Sequence, residues 1–186
     1  MDNLPQRKQL RLKNYDYSQA GYYFVTICTK DRKNILCEFV GNDALVVPSA
    51  MGEKTINCWN NISRLNENIK TDLFCLMPNH IHGIIFIVGN DALIVPDNND
   101  SNIVIEKKYG FETIERGGHS SLQGIIRDFK SISTRYYNKM VDIPLKNTLW
   151  QKSFYEHIIR NENELQKIRE YIKNNPAKWH EDKYFS

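Results

Sequence analysis

Apolar and polar positions along this chain follow two rhythms, one of period two and one near three and a half. Gly21-Tyr22-Tyr23-Phe24-Val25-Thr26-Ile27-Cys28-Thr29 is rich in β-branched and aromatic residues, which predicts a strand over about 21–30. Two further apolar runs, over 71–77 and 80–88, flank the turn-forming pair Pro78-Asn79 and so predict a hairpin. Helical spacing is clear in three places. Trp59, Ile62 and Leu65 share one face of a helix over 54–65. Leu122, Ile125, Ile126, Phe129, Ile132 and Tyr136 line the next, with Ser120 and Gln123 set as a capping box. Leu165, Ile168 and Ile172 form the third, behind Asn161 as N-cap with Glu164 three residues on. Pro176 disfavours helical geometry at Asn175 and should end that helix there. With a last strand near 149–157, the order is strand-helix-strand-strand-helix-strand. That is an α+β chain on the ferredoxin-like (βαββαβ) plan, an antiparallel sheet with an additional C-terminal helix.

Val40-Gly41-Asn42-Asp43-Ala44-Leu45-Val46-Val47-Pro48 recurs as 88–96, with Ile94 answering to Val46. Two short copies with unlike flanks do not make a solenoid. Both read as loop segments opening on a Gly-Asn-Asp turn, which are tolerated because loop-closure cost rises slowly with length. The alternative is a shared binding tip on two hairpins. Residues 97–119 are polar and are expected to form a mobile loop, residues 1–14 a basic arm, and 1–186 one domain.

The chemistry begins at Met77-Pro78-Asn79-His80-Ile81-His82. On a strand successive side chains alternate faces, so His80 and His82 point the same way. Two imidazoles one pleat apart suit a divalent metal. They are equally described as two unrelated edge histidines, one of them capping the turn. On the last helix Tyr171 and Asn175 lie four apart and share a face. They offer a nucleophile beside a metal-ligating oxygen, or else a packed ring beside a helix cap.

Taken together and in order, these segments resemble a known family. His80-Ile81-His82 after Met77-Pro78-Asn79, the stretch Trp150-Gln151 to His157, and Tyr171-Ile172-Lys173-Asn174-Asn175-Pro176 resemble the single-tyrosine HUH transposases, nearest to the REP-associated tyrosine transposase branch. The strand 21–29 and Phe129-Lys130-Ser131 match as well, and the likeness covers most of 15–180. It implies His80 and His82 as metal ligands, Tyr171 as nucleophile and Asn175 as the polar residue completing the metal site, where many relatives carry glutamine. It implies the same fold, a divalent cofactor (Mg²⁺ or Mn²⁺), and single-stranded or hairpin DNA as partner. It also implies nicking through a 5′-phosphotyrosine, which keeps the bond energy for rejoining. A phenol with a reference pKa of ~10 needs activation. Lys167, one turn before Tyr171, and His157 are the candidates for that support.

Composition agrees with this reading without producing it. Hydrophobic residues at 41% and charged residues at 25% are ordinary for a globular protein. A net charge of +3 does not by itself name a nucleic-acid partner. Its distribution adds more. Arg7, Lys8, Arg11 and Lys13 form a basic arm, and Arg127, Lys130, Arg135 and Lys139 lie along one predicted helix. Such clusters contact phosphates, or are simply solvated. Cys28, Cys37, Cys58 and Cys75 show no C-x-x-C pair and no zinc-like grouping. With no signal peptide and no apolar run near the ~18 residues a membrane span needs, no membrane partner and a cytoplasmic location are expected. The oligomeric state is open between monomer and homodimer. Two other readings stand beside the transposase: a DNA-hairpin-binding protein that no longer cuts, and an unrelated metal hydrolase, for which further ligands at motif spacing are missing.

Overall fold

Residues 12, 15–40, 45–89, 121–141 and 148–185 are described by the computed structural model. The first strand, β1 (Gly21–Cys28), sends Tyr23, Val25 and Ile27 to one side and Phe24, Thr26 and Cys28 to the other, the period-two pattern its sequence carries. A short hairpin follows, β2 (Cys37–Val40) and β3 (Leu45–Pro48). Then come α1 (Ala50–Asn60), α2 (Ile62–Leu65), β4 (Ile69–Leu76), β5 (His80–Ile87), α3 (Leu122–Met140), β6 (Tyr155–Ile159) and α4 (Glu162–Asn174), before a 3₁₀ turn over Pro176–Glu181. The main sheet has the order β4-β5-β1-β6, antiparallel throughout. Setting the β2–β3 hairpin aside, this is the ferredoxin-like arrangement expected from the element order.

The sheet separates two cores. On one face Tyr23, Val25, Ile27, Ile81, Ile85 and Ile87 pack with Trp59 of α1 and with Leu122, Ile125, Ile126 and Phe129 of α3. On the other, Phe24, Cys75 and Ile84 pack with Leu165 and Ile172 of α4 and with Trp179. Gly83 sits on the first face, where a methyl group would overlap Cζ2 and Cη2 of the Trp59 indole. That indole is 1% exposed, so it has little room to yield. Among the described residues no helix is long and apolar enough to cross a membrane.

Several boundaries differ from the sequence reading. The helix expected over 54–65 begins at Ala50 and breaks near Asn61, because Ser49 caps it, its hydroxyl accepting from Gly52 N at 3.0 Å. The cap of α3 is Ser121, whose hydroxyl accepts from Gly124 N at 3.3 Å; Ser120 lies outside the described residues. The last strand starts at Tyr155 rather than near 149. Leu149, Trp150 and Phe154 are instead buried along the connection, and Trp150 donates from Nε1 to Ser133 Oγ at 2.7 Å. Trp150 still forms an isolated antiparallel bridge with Thr29 just past β1, so the pairing is interrupted before Tyr155 rather than absent. The first nonapeptide copy is not all loop. Leu45–Pro48 pairs with β2, with Val46 packed inward and Leu45 and Val47 outward. Residues 41–44, the second copy from 90 onward, the loop 97–119 and the basic residues Arg7, Lys8, Arg11 and Lys13 fall outside the described residues.

The Trp59–Gly83 contact gives a direct test of the helix-to-sheet packing. Gly83→Ala should destabilise the protein by about 1–3 kcal/mol, the usual range for overpacking. An unchanged urea midpoint at unchanged slope would show that the indole is not the constraint described.

Candidate active site

Strand β5 places His80 and His82 on the face opposite Trp59, toward α4, and both are almost fully buried. A buried imidazole needs a partner for each nitrogen. His80 Nδ1 lies 2.9 Å from Asn79 Oδ1, while Asn79 Nδ2 donates to Tyr184 O at 2.8 Å. With the amide oriented that way its oxygen must accept, so Nδ1 of His80 carries the proton and Nε2 keeps its lone pair. Across the β1–β5 pairing Thr26 sits opposite His82, its hydroxyl 2.9 Å from Nδ1. The two Nε2 atoms stand 3.0 Å apart. When Thr26 accepts from His82 Nδ1, two lone pairs converge on one point. Burial holds both rings neutral, His80 down to about 2 and His82 to about 3; the adjoining His82 ring and the Lys183 and Arg32 charges further disfavour a proton on His80, and the Lys183 charge does so at His82.

The late helix closes the site. Its start is capped as expected, Asn161 Oδ1 accepting from Glu164 N at 2.9 Å. The Glu164 carboxylate reaches Arg160 N at 2.7 Å, one residue before the donor a standard capping box would use. Arg169 donates from Nε and Nη2 to Asp72 Oδ2 at 2.9 and 2.6 Å, tying α4 to β4. On this helix the Tyr171 hydroxyl lies 3.4 Å from His82 Nε2. Its ring stands edge-on to Phe24, and 45% of the residue is exposed. Partial burial raises the Tyr171 pKa, and the Asn175 side chain opposes that rise. Asn175 is the C-cap of α4, buried, and its Oδ1 has no hydrogen-bond partner among the described residues.

After the 3₁₀ turn the chain returns over the histidines. Asp182 Oδ2 comes to 3.9 Å from His80 Nε2. The ligand atoms of His80, His82 and Asp182 all lie within 4.8 Å of one another. Two neutral imidazole nitrogens, one carboxylate and a nearby orphaned amide oxygen form a donor set that fits a divalent cation. The cleft in front of it has a volume of about 830 Å³, with Phe24, Thr26, Tyr155, His157 and Lys183 among its walls.

The structure thus brings His80, His82, Tyr171 and Asn175 to one place. His157 and Lys167 stand on the cleft wall. His157 Nε2 meets Glu164 Oε1 at 2.7 Å, and that carboxyl is held below its usual range by the Arg160 N–H first and by His157 second. Arg127 and Lys130 are elsewhere, on α3 across the sheet. Lys130 Nζ donates to the carbonyls of Gln151 and Ser153 at 3.0 and 3.1 Å. Sequence reasoning missed Asp182, Asn79, Thr26 and Lys183. Asn79 was visible beside His80 as a polar residue in an apolar hairpin. Thr26 required the strand register, and nothing local marks Asp182 or Lys183 in a polar C-terminal stretch.

The sequence profile of the family described as "Transposase IS200 like" matches residues 104–175, a span that includes Tyr171 and Asn175. An uncharacterised protein of Haemophilus influenzae is 31% identical over 179 residues, 96% of this chain and 93% of that protein. A second protein of the same organism, named "Putative REP-associated tyrosine transposase", is 25% identical over 90% of this chain and 77% of its own length. Among solved structures, a REP-associated tyrosine transposase bound to a REP hairpin superposes with a TM-score of 0.57 at 16% identity, covering 91% of this chain and 73% of that one. That likeness shows the fold. The order of motifs, the profile over 104–175 and the relative named as a REP-associated tyrosine transposase point the same way: the chain is similar to the IS200-like transposases.

Proposed function

We propose that the protein is a metal-dependent single-strand DNA endonuclease and strand transferase that works through a 5′-phosphotyrosine at Tyr171. The observation that carries this is the approach of the Tyr171 hydroxyl to 3.4 Å from one of two buried, uncharged imidazoles. A half-exposed phenol aimed at such a pair has little packing value there, and it faces an open cleft. His80 and His82, with Asp182 and Asn175 as oxygen donors, would hold a divalent ion, Mg²⁺ or Mn²⁺. When bound, the ion supplies positive charge that polarises the scissile phosphate.

The chain's own residues do the rest. Phe24 and the Asn175 side chain fix the Tyr171 ring and hydroxyl, so that the nucleophile enters in one orientation. Attack forms the P–Oη bond and breaks P–O3′, leaving a free 3′-hydroxyl once that oxygen is protonated. The phenol proton must go elsewhere, and His157, braced by Glu164, is the cleft side chain we assign to receive it. Lys167, exposed on the same helix, borders the path of the DNA backbone. Hairpin or palindromic DNA is the proposed substrate, since a related fold is known bound to a REP hairpin. Arg127 and Lys130, with the basic arm Arg7, Lys8, Arg11 and Lys13, are proposed to contact phosphates outside the cleft.

Incubation with hairpin oligonucleotides and Mn²⁺ should give a denaturation-resistant protein–DNA adduct, with the nucleotide mapped to the Tyr171 peptide. Tyr171→Phe should remain folded, bind the same DNA and form no adduct. An adduct on Tyr155, or one that persists in the Phe variant, would overturn the nucleophile. His80→Ala and His82→Ala should each lower cleavage by at least ~10²-fold, the scale of losing an electrostatic anchor, and full nicking in either would remove the ligand assignment.

The neutral histidines predict a pH dependence as well. Their folded pKa values lie below the usual imidazole value, so between those values and about 6.5 the unfolded chain binds protons that the folded chain refuses. The contribution of the two rings to the stability of metal-free protein should therefore be constant above that range and be lost as pH falls through it. Imidazole NMR signals from both rings should stay at neutral positions down to about pH 4. A midpoint near 6.5 for either ring would show that it is not buried as described.

A further inference from the structure

Lys183 takes no part in the ion pairs formed among the described residues, although it stands in the cleft beside the nucleophile. Its ammonium lies 4.8 Å from the centre of the Tyr184 ring and 5.4 Å from that of Tyr155, and it hydrogen-bonds Tyr184. Two aromatic faces therefore aim a flexible side chain while leaving its charge uncompensated. Its positive charge is felt by His80, His82 and Tyr171 alike. Lys167 and Lys178 also border the cleft, and Arg32 acts on His80 beside Lys183.

Resting on the nicking reading above, we propose that Lys183 binds the non-bridging oxygens of the scissile phosphate. It would stabilise the second negative charge that develops there as Tyr171 Oη bonds to phosphorus and the P–O3′ bond breaks. The phosphodiester enters with one negative charge, and the pentacovalent transition state carries two. A fixed ammonium in a half-dry cleft interacts more strongly with the second state than with the first. Tyr155, 42% exposed on the edge strand β6, would hold the lysine from the outer side of the cleft.

The test uses full-length protein and a hairpin oligonucleotide with single-stranded flanks. Two substrates are compared at the mapped cleavage position, the ordinary phosphodiester and a neutral methylphosphonate. Lys183→Gln should slow adduct formation by ~10²-fold on the phosphodiester, whereas on the methylphosphonate wild type and variant should cleave at similar rates. Lys183→Arg should restore most of the activity. A variant as fast as wild type on the phosphodiester, or equally impaired on both substrates, would overturn the proposal. A second measurement needs no cleavage. In the Tyr171→Phe background, Lys183→Gln should reduce the slope of log affinity against log salt by about 0.7, one phosphate contact on a single strand. An unchanged slope would also overturn the assignment. Absence of any wild-type adduct would remove the nicking reading, while the salt slope would still decide whether Lys183 contacts phosphate.

Discussion

Two uncharged imidazoles buried in the middle of a β-sheet set the terms for everything around them. An unpartnered polar group in such a place costs about 1–3 kcal/mol, and His80 and His82 together present four ring nitrogens. Asn79 satisfies one and Thr26 another, which leaves the two Nε2 atoms facing each other. The alternation of β5 makes this possible. Ile81, Gly83, Ile85 and Ile87 go to the α1–α3 side, while His80, His82 and Ile84 go to the α4 side. A slip of one residue in register would bury both histidines under Trp59 and turn Ile81, Gly83, Ile85 and Ile87 toward the smaller α4 core. The same constraint that builds the larger core therefore orients the histidine pair.

Partnering at Nδ1 then reaches across the fold. The amide that fixes His80 is itself fixed by the carbonyl of Tyr184, 105 residues later. The C-terminal segment thus brings Asp182 and Lys183 into the cleft through the hydrogen bond that sets the His80 tautomer. Helix α4 is located separately, by Leu165 and Ile172 beneath it and by the Arg169–Asp72 pair at its side. That pair is partly exposed and contributes little to stability. Its use is geometric, since it fixes the rotation of the helix and with it the direction of Tyr171.

Much of this was legible in the sequence. The four strands of the main sheet, their order with the helices and the late helix with its cap at Asn161 follow from periodicity and capping chemistry alone, whereas the β2–β3 hairpin reads as loop and the last strand as starting too early. The histidine pair was visible as a spacing. Only the family resemblance joins that pair to Tyr171 at the level of sequence, because no local rule connects residue 82 to residue 171. Asp182 and Lys183 stayed hidden for the same reason. They lie in a polar stretch without periodicity, and their meaning comes from a tertiary contact with Asn79. Ser121 rather than Ser120 as a helix cap is a smaller case, where adjacent serines carry the same chemistry and only the backbone chooses between them.

The groups proposed as metal donors come from three separate places: β5 carries the imidazoles, the end of α4 carries Asn175, and the segment after the 3₁₀ turn carries Asp182. Only the first belongs to the larger core. The other two depend on the smaller cluster of Phe24, Cys75, Met77, Ile84, Ile159, Leu165, Ile172 and Trp179. Less apolar surface holds that layer, so its local opening costs less than global unfolding. The proposed strand transfer would gain from this division, because its phosphotyrosine would ride on α4 while one DNA end left the cleft and another entered. A firm sheet that keeps the imidazoles in place, beneath a helix held by a smaller core, permits that exchange without loss of the ligand geometry.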